Sequence, residues 1–395
     1  LEGTDLKQKI FTILIGITLV ASLLPFSAPS PVFAQSASAD IGKADKALCL
    51  PGEEVNGNAN CLLAGPAETI DTLAKKGLTF PPEPLALTNP PTDLQIIPFS
   101  YAKVVNEAVD LYASVDDAQN GIVKDQLRAG HIKYVSLSQK EVTDKGTFYQ
   151  ISTGDWLSGD KITKVGVPYF QGYLIKQFPA ATFGWILQDA PSYKEPGYTA
   201  EKTGKTYHRL DIIMAYDSKT VDNMEWVMIG QDEWVEHRFI ARVYNHPTPP
   251  EGVTNGRWVE VNLYEQVLTV YDQGKMIFAT LVATGGAPFY TQPGTFKIYK
   301  KIEHEYMTGA FESDKSDYYY LEEVPFIMYY DNARALHAAY WNTYLGYPSS
   351  HGCVNLSVAD AHWLYEWAND GDTVYVFDPS GKTPTDPSLY TGGGF

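Results

Sequence analysis

Two stretches of this chain repeat one another. Phe148-Tyr-Gln-Ile151, Trp156-Leu157, Ile162 and Val165 recur 78 positions later as Trp226-Val-Met-Ile229, Trp234-Val235, Ile240 and Val243. The spacing between the aromatic, Ile, Trp and final Val is the same in both copies. A repeat of this length built from short apolar runs must be made of strands, because no run is long enough for a helix that buries a face. The surrounding segments agree. Tyr101-Ala-Lys-Val104 and Ala108-Val-Asp-Leu-Tyr112 mix apolar and polar residues as half-buried strands do, and Asp144-Lys145-Gly146 marks a turn. The expectation is a mainly β, multi-domain chain in which two small β-barrels precede a further unit. Two similar hairpins within one larger β domain would leave the same echo.

The repeats loosely resemble bacterial SH3-like modules, and they set the domain plan: repeat 1 over residues 100–190 and repeat 2 over 191–252. Before them lies a Pro-rich stretch, Phe80-Pro-Pro-Glu-Pro84 through Pro98, expected as a semi-rigid linker closing the 35–99 segment. After them, Asn245 to Gly252 reads as a linker, with His246 a solvated loop residue. A third unit spans 255–378. Val259, Val261 and Leu263 alternate with Glu260 and Asn262, and Val267–Tyr271 and Met276–Val282 follow across a Gly-containing turn, giving a β-meander. Ser357-Val-Ala-Asp360 is a capping pair that opens a short helix, Gly371 ends it, and Thr373–Phe377 is a last strand. Residues 379–395, ending in three glycines and Phe395, are expected to be a disordered tail.

Charge and address narrow the function. With 30 Lys and Arg against 47 Asp and Glu the chain carries −17, and no basic run occurs. Nucleic-acid binding, which needs clustered cations, is excluded as an expectation. Lys7 and Lys9 precede an apolar run that ends near Phe26, and Val32-Phe33-Ala34 follows. This is the layout of a secretory signal over residues 1–34, cleaved after Ala34, with a retained anchor as the alternative. The expected location is therefore extracytoplasmic, secreted or at the cell envelope. In that compartment Cys49 and Cys61 are expected to form a disulfide around a small loop, two free thiols being the alternative. The third cysteine, Cys353, is left unpaired.

Cys353 sits in the most informative string of the chain, Ser350-His351-Gly352-Cys353-Val354-Asn355-Leu356, with His337 upstream. Acyl transfer by a cysteine needs a thiolate, a base, a group that orients the base and donors for the oxyanion. A free thiol titrates near about 8.5 and imidazole near about 6.5, so the pair is neutral in water unless a site holds the two charges together. Gly352 removes a side chain beside the nucleophile. The helix beginning near Ser357 is a source of partial positive charge. A buried structural cysteine and a zinc site of His337, His351 and Cys353 are the competing readings.

The Ser-His-Gly-Cys-Val-Asn string with an upstream His resembles the signature of the L,D-transpeptidase (YkuD) catalytic domain, over about residues 257–378. Thr284-Gly-Gly-Ala and Thr291-Gln-Pro-Gly-Thr-Phe296 add to the likeness. The resemblance implies a β-rich fold with the cysteine on a loop in a groove, and no metal or other cofactor. It implies that Cys353 attacks the third residue of a peptidoglycan tetrapeptide stem and expels D-alanine. A second stem's amine then resolves the acyl-enzyme as a 3→3 cross-link. By the same resemblance His337 is the base, Ala338 supplies the carbonyl that orients it, and His351 is the motif histidine. Backbone N–H groups of Gly352 and Cys353 are oxyanion donors. Ser350, Asn355 and one of Tyr318, Tyr319 and Tyr320, with Tyr319 favoured, complete the substrate site. Carbapenem-type β-lactams are expected inhibitors, glycan strands a further partner, and a monomer the expected state. An L,D-carboxypeptidase of the same fold, or a wall-binding structural protein, are the alternatives. Twelve residues separate His337 from Ser350, at the short end for the family, so the loop over the site is expected to be trimmed.

Overall fold

The computed structural model describes residues 66–78 and 85–390. The expected signal segment and cleavage site and the expected Cys49–Cys61 disulfide lie outside the described residues. Strands dominate, with one long-sided helix, Val358–Trp367, in the C-terminal unit.

Two sheets carry the C-terminal unit. One has seven strands in the order Leu87–Thr88, Tyr173–Ile175, Lys275–Leu281, Val267–Asp272, Arg257–Asn262, Thr373–Phe377, Gly294–Lys297. The other runs from Val354–Leu356 through Arg334–Ala338 and Tyr319–Asp331 into Ile132–Thr143, Tyr101–Val104 and Ile162–Lys164. Val259, Val261, Val270 and Phe278 of the first sheet meet Ile327, Leu336, Val354 and Leu356 of the second in one core, which the helix closes with Ala361 and Leu364. Ser357 caps the helix as the sequence implied, its hydroxyl accepting from the Asp360 N–H at 3.2 Å.

The meander is buried on both faces. The face of the first sheet that carries Trp258, Val267, Tyr271 and Leu281 packs against Phe183 and Trp185 of the strand Thr182–Ile186 and Val243 of the strand Ile240–Val243. Its polar residues are consequently internal and paired. Glu260, 4% exposed, accepts from His246 Nδ1 at 2.7 Å. His246 is an exposed loop residue, as expected, and its pKa is raised chiefly by that hydrogen bond.

The sequence echo corresponds to a repeated element order. Gly146–Ile151 and Trp156–Ser158 form a hairpin, followed by the 3₁₀ turn Gly159–Lys161 and the strand Ile162–Lys164. Met224–Gly230, Glu233–Glu236, His237–Phe239 and Ile240–Val243 follow the same order. Trp156 and Trp234 are buried, so neither offers its face to a glycan.

The intervening segments dock rather than dangle. Gln171 Nε2 donates to the carbonyls of Pro90 and Pro91, and Leu87–Thr88 pairs with Tyr173–Ile175. The helix Pro66–Lys75, unforeseen in the 35–99 segment, is followed by Leu78, which with Leu73 packs beside Trp226 and Trp234. The tail expected to be disordered is described as far as Tyr390, which is 3% exposed. Arg334 Nη2 donates to its carbonyl at 3.1 Å, which fixes this end of the tail against the second sheet.

Candidate active site

The nucleophile and the base are brought together by parallel strand pairing. Arg334–Ala338 lies beside Val354–Leu356 with His337 opposite Asn355 and Leu336 opposite Val354. Side chains alternate across a strand, so His337 shares a face with Asn355, and Cys353 lies on the loop one residue before the strand Val354–Leu356. All three line one cavity of about 750 Å³, its open mouth included. Tyr319, Ser350 and His351 line it too.

His337 is 2% exposed, and its Nδ1 lies 3.0 Å from the Ala338 carbonyl oxygen. A carbonyl can only accept, so Nδ1 carries the proton and Nε2 keeps its lone pair. Burial lowers the imidazole pKa to about 4, against the weaker raising effect of the Ala338 carbonyl. Burial likewise raises the Cys353 thiol, while the Ala335 N–H and the Arg334 guanidinium pull it down. Desolvation therefore favours the neutral thiol and neutral imidazole at rest. The helix contributes little to the sulfur. The strand Val354–Leu356 separates Cys353 from the cap at Ser357, and a helix-end field fades within a turn.

The loop carrying Cys353 is braced from within. Ser350 Oγ donates to the Cys353 carbonyl at 2.5 Å and accepts from the Gly352 N–H at 3.1 Å. Thr291 Oγ1 donates to the Gly352 carbonyl at 2.9 Å and accepts from the Gly285 N–H at 2.8 Å. Gly352 sits at φ +114°, where a side chain is strained, and an added methyl would lie 3.1 Å from Arg334 Nε. Gly285 approaches so closely that a methyl there would fall 2.7 Å from Gly352 Cα. The Gly352 N–H, expected as an oxyanion donor, donates to Ser350 Oγ in this structure. Gly352 acts through its backbone conformation, and the Cys353 N–H is the remaining backbone candidate.

Of the three consecutive tyrosines, Tyr319 lines the cavity, and Tyr318 and Tyr320 pack on the first β unit. Tyr319 has its pKa raised by burial first and by the facing Cys353 second, so it stays a protonated donor. His351 lies among Phe289, Phe311 and Tyr319, with ring centroids 4.7–5.5 Å away, and its Nε2 is 3.9 Å from Asp317. Among the described residues no three His, Cys, Asp or Glu side chains form a metal-holding group.

Among the cavity residues not foreseen are Ile132, Arg334, Trp341 and Tyr390. Trp341, with its ring 5.8 Å from His337, lies four positions past the base and was within reach of the motif. Ile132 comes from the first β unit, whose strand pairs in parallel with the strand Tyr319–Asp331, Tyr319 standing opposite Ile132.

Residues 256–376 match the family model YkuD, the L,D-transpeptidase catalytic domain. Among solved structures, the chain is similar to an L,D-transpeptidase from Stackebrandtia nassauensis at 35% identity, covering 34% of this chain and 59% of that one, with a TM-score of 0.27. It is similar to an Enterococcus faecium L,D-transpeptidase C442S mutant at 24% identity, covering 31% of this chain and 50% of that one, TM-score 0.28. The catalytic domain of the E. faecium enzyme acylated by ertapenem is 26% identical, with 32% of this chain and 100% of that one covered, TM-score 0.29. The chain thus spans between half and three fifths of the length of the first two. No curated protein matches it.

Proposed function

We propose that the protein is a peptidoglycan L,D-transpeptidase that works through a Cys353 acyl-enzyme on tetrapeptide stems. The observation that supports this reading is that His337 and Cys353 line one cavity, Cys353 standing on the loop just before the strand that pairs with Arg334–Ala338, with His337 Nδ1 tied to Ala338. His337 Nε2 takes the proton of the thiol as Sγ attacks the carbonyl of the stem's third residue. The oxyanion so formed is met by the Cys353 N–H and the Tyr319 hydroxyl. Collapse of the intermediate breaks the amide bond to the terminal D-alanine. Its amine leaves with the proton held by His337, and a thioester remains on Cys353.

In the second half-reaction, the side-chain amine of an acceptor stem gives a proton to His337 and attacks the thioester. The new amide is a 3→3 cross-link, and the thiol is restored. Water in place of the amine gives a tripeptide, the L,D-carboxypeptidase outcome. A neutral imidazole suits both steps, because it must accept a proton before it donates one. An extracytoplasmic location goes with this substrate, and sensitivity to carbapenem-type β-lactams goes with this nucleophile.

Incubating the purified chain with tetrapeptide-containing sacculi and separating the muropeptides tests the proposal. New 3→3 dimers, absent with Cys353→Ala, are expected. Tripeptides alone would assign the carboxypeptidase reaction, and unchanged muropeptides would remove the transferase reading.

A further inference from the structure

One charged side chain in the cavity has no part in the chemistry above. Arg334 is 9% exposed. Its Nη1 donates to Asp331 at 2.9 Å and its Nη2 to the Tyr390 carbonyl at 3.1 Å. Its Nε is buried and has no hydrogen-bond partner among the described residues. Leaving a buried guanidinium N–H unmet is costly, and such groups call for an explanation. This one lies against the nucleophile's loop, 3.1 Å from where a methyl on Gly352 would stand.

The other side of the guanidinium is sealed by the end of the chain. The Tyr390 ring centroid lies 5.2 Å from the guanidinium carbon, and the Tyr390 hydroxyl donates to the Pro384 carbonyl at 2.5 Å. Residues 384–390 thus form a closed strap over a cation in the cavity wall. A cation kept from water acts on a nearby charge far more strongly than one in solvent.

We propose that Arg334 is a positioning residue for Cys353: the strap 384–390 seals its guanidinium behind the Gly352 loop, where it supports negative charge on the sulfur as the thiol is consumed. This rests on the reading of Cys353 as the nucleophile. It explains why the site holds a buried Arg–Asp pair beside a neutral thiol and imidazole. Burial alone would hold the sulfur protonated, and the Arg334 charge opposes it. It also gives the C-terminal strap a task, which is to keep water from screening the cation.

The test is the pH dependence of iodoacetamide alkylation at Cys353, followed by peptide mass spectrometry on the full chain. Arg334→Met is expected to react about tenfold more slowly at pH 7, with its profile displaced to alkaline pH and the wild-type plateau recovered there. Arg334→Lys is expected to keep most of the wild-type rate. Tyr390→Ala leaves the backbone carbonyl in place and admits water, so its profile should move the same way by less. A change in exposure alone would alter the plateau and not the midpoint. Identical midpoints in wild type and a folded Arg334→Met protein overturn the proposal. If Arg334→Met does not fold, an unmoved midpoint in Tyr390→Ala overturns it. Carbapenem acylation of the wild-type chain, run in parallel, separates the two claims. An adduct with unmoved midpoints removes only the role of Arg334, and a moved midpoint without an adduct removes only the transferase reading.

Discussion

At the scale of single residues, the site is governed by desolvation. His337 is buried with its Nδ1 tied to the Ala338 carbonyl, and burial lowers its pKa to about 4, which leaves the ring neutral near pH 7. A base is competent when unprotonated, so activity should be lost only as pH falls toward 4. The expected outcome is a carbapenem acylation rate that shows no acid limb centred near 6.5. Stopped-flow measurements between pH 4.5 and 8 check this, and a midpoint near that of free imidazole would contradict it. Gly352 is the second decisive residue. With φ at +114° and Arg334 Nε behind it, Gly352→Ala should cost about 1–3 kcal/mol and slow acylation at least about tenfold. Thermal unfolding and acylation kinetics on one preparation test both numbers.

At the scale of elements, the helix Val358–Trp367 is tied to a distant strand by one carboxylate. Asp360, fully buried, accepts from the Gly172 N–H at 2.9 and 3.1 Å and from Thr280 Oγ1 at 2.6 Å. Burial raises its pKa to about 6 against these hydrogen bonds. The sign follows directly. Between about pH 4 and 6 the unfolded chain has lost this proton and the folded chain has not, so stability falls as pH rises through that window, by about 3 kcal/mol. Asp360→Asn should accept from Gly172, donate to Thr280, and flatten the dependence. Melting temperatures from pH 4 to 7.5 test it; parallel curves for the two proteins would count against the assignment. Elements also show what was legible beforehand. The Ser350–Asn355 string, His337 and the Ser357–Asp360 cap are local, so their spacing revealed them. Tyr319 was favoured among three neighbours, but only packing separates it from Tyr318 and Tyr320. Arg334 and Tyr390 meet across 56 positions, and the tail around Tyr390 has no periodicity to announce it. The meander's alternation hid a second buried face because Glu260 and Thr269 are paired internally, and pairing leaves no mark on a hydropathy pattern.

At the scale of the whole molecule, the first β unit is part of the active site's frame. Its strand Ile132–Thr143 pairs with Tyr319–Asp331, and the buried Glu322 carboxylate accepts from the N–H groups of Ser136 at 2.8 Å and Ser152 at 3.1 Å. Glu322→Ala strands both donors, so a loss of about 2–4 kcal/mol is expected, together with a several-fold slower acylation through a loosened Tyr319. Unchanged acylation in a destabilised Glu322→Ala protein would show that the β unit supports the fold but not the site. The account as a whole depends on proton transfer from Cys353 to His337. Its most direct measurement is the rate at which a carbapenem acylates the full chain, read by intact mass, in wild type, Cys353→Ala and His337→Ala. The prediction is one adduct on wild type, none on Cys353→Ala, and a rate lowered about 10²–10⁴-fold in a folded His337→Ala protein. A His337→Ala protein that acylates at the wild-type rate would contradict it.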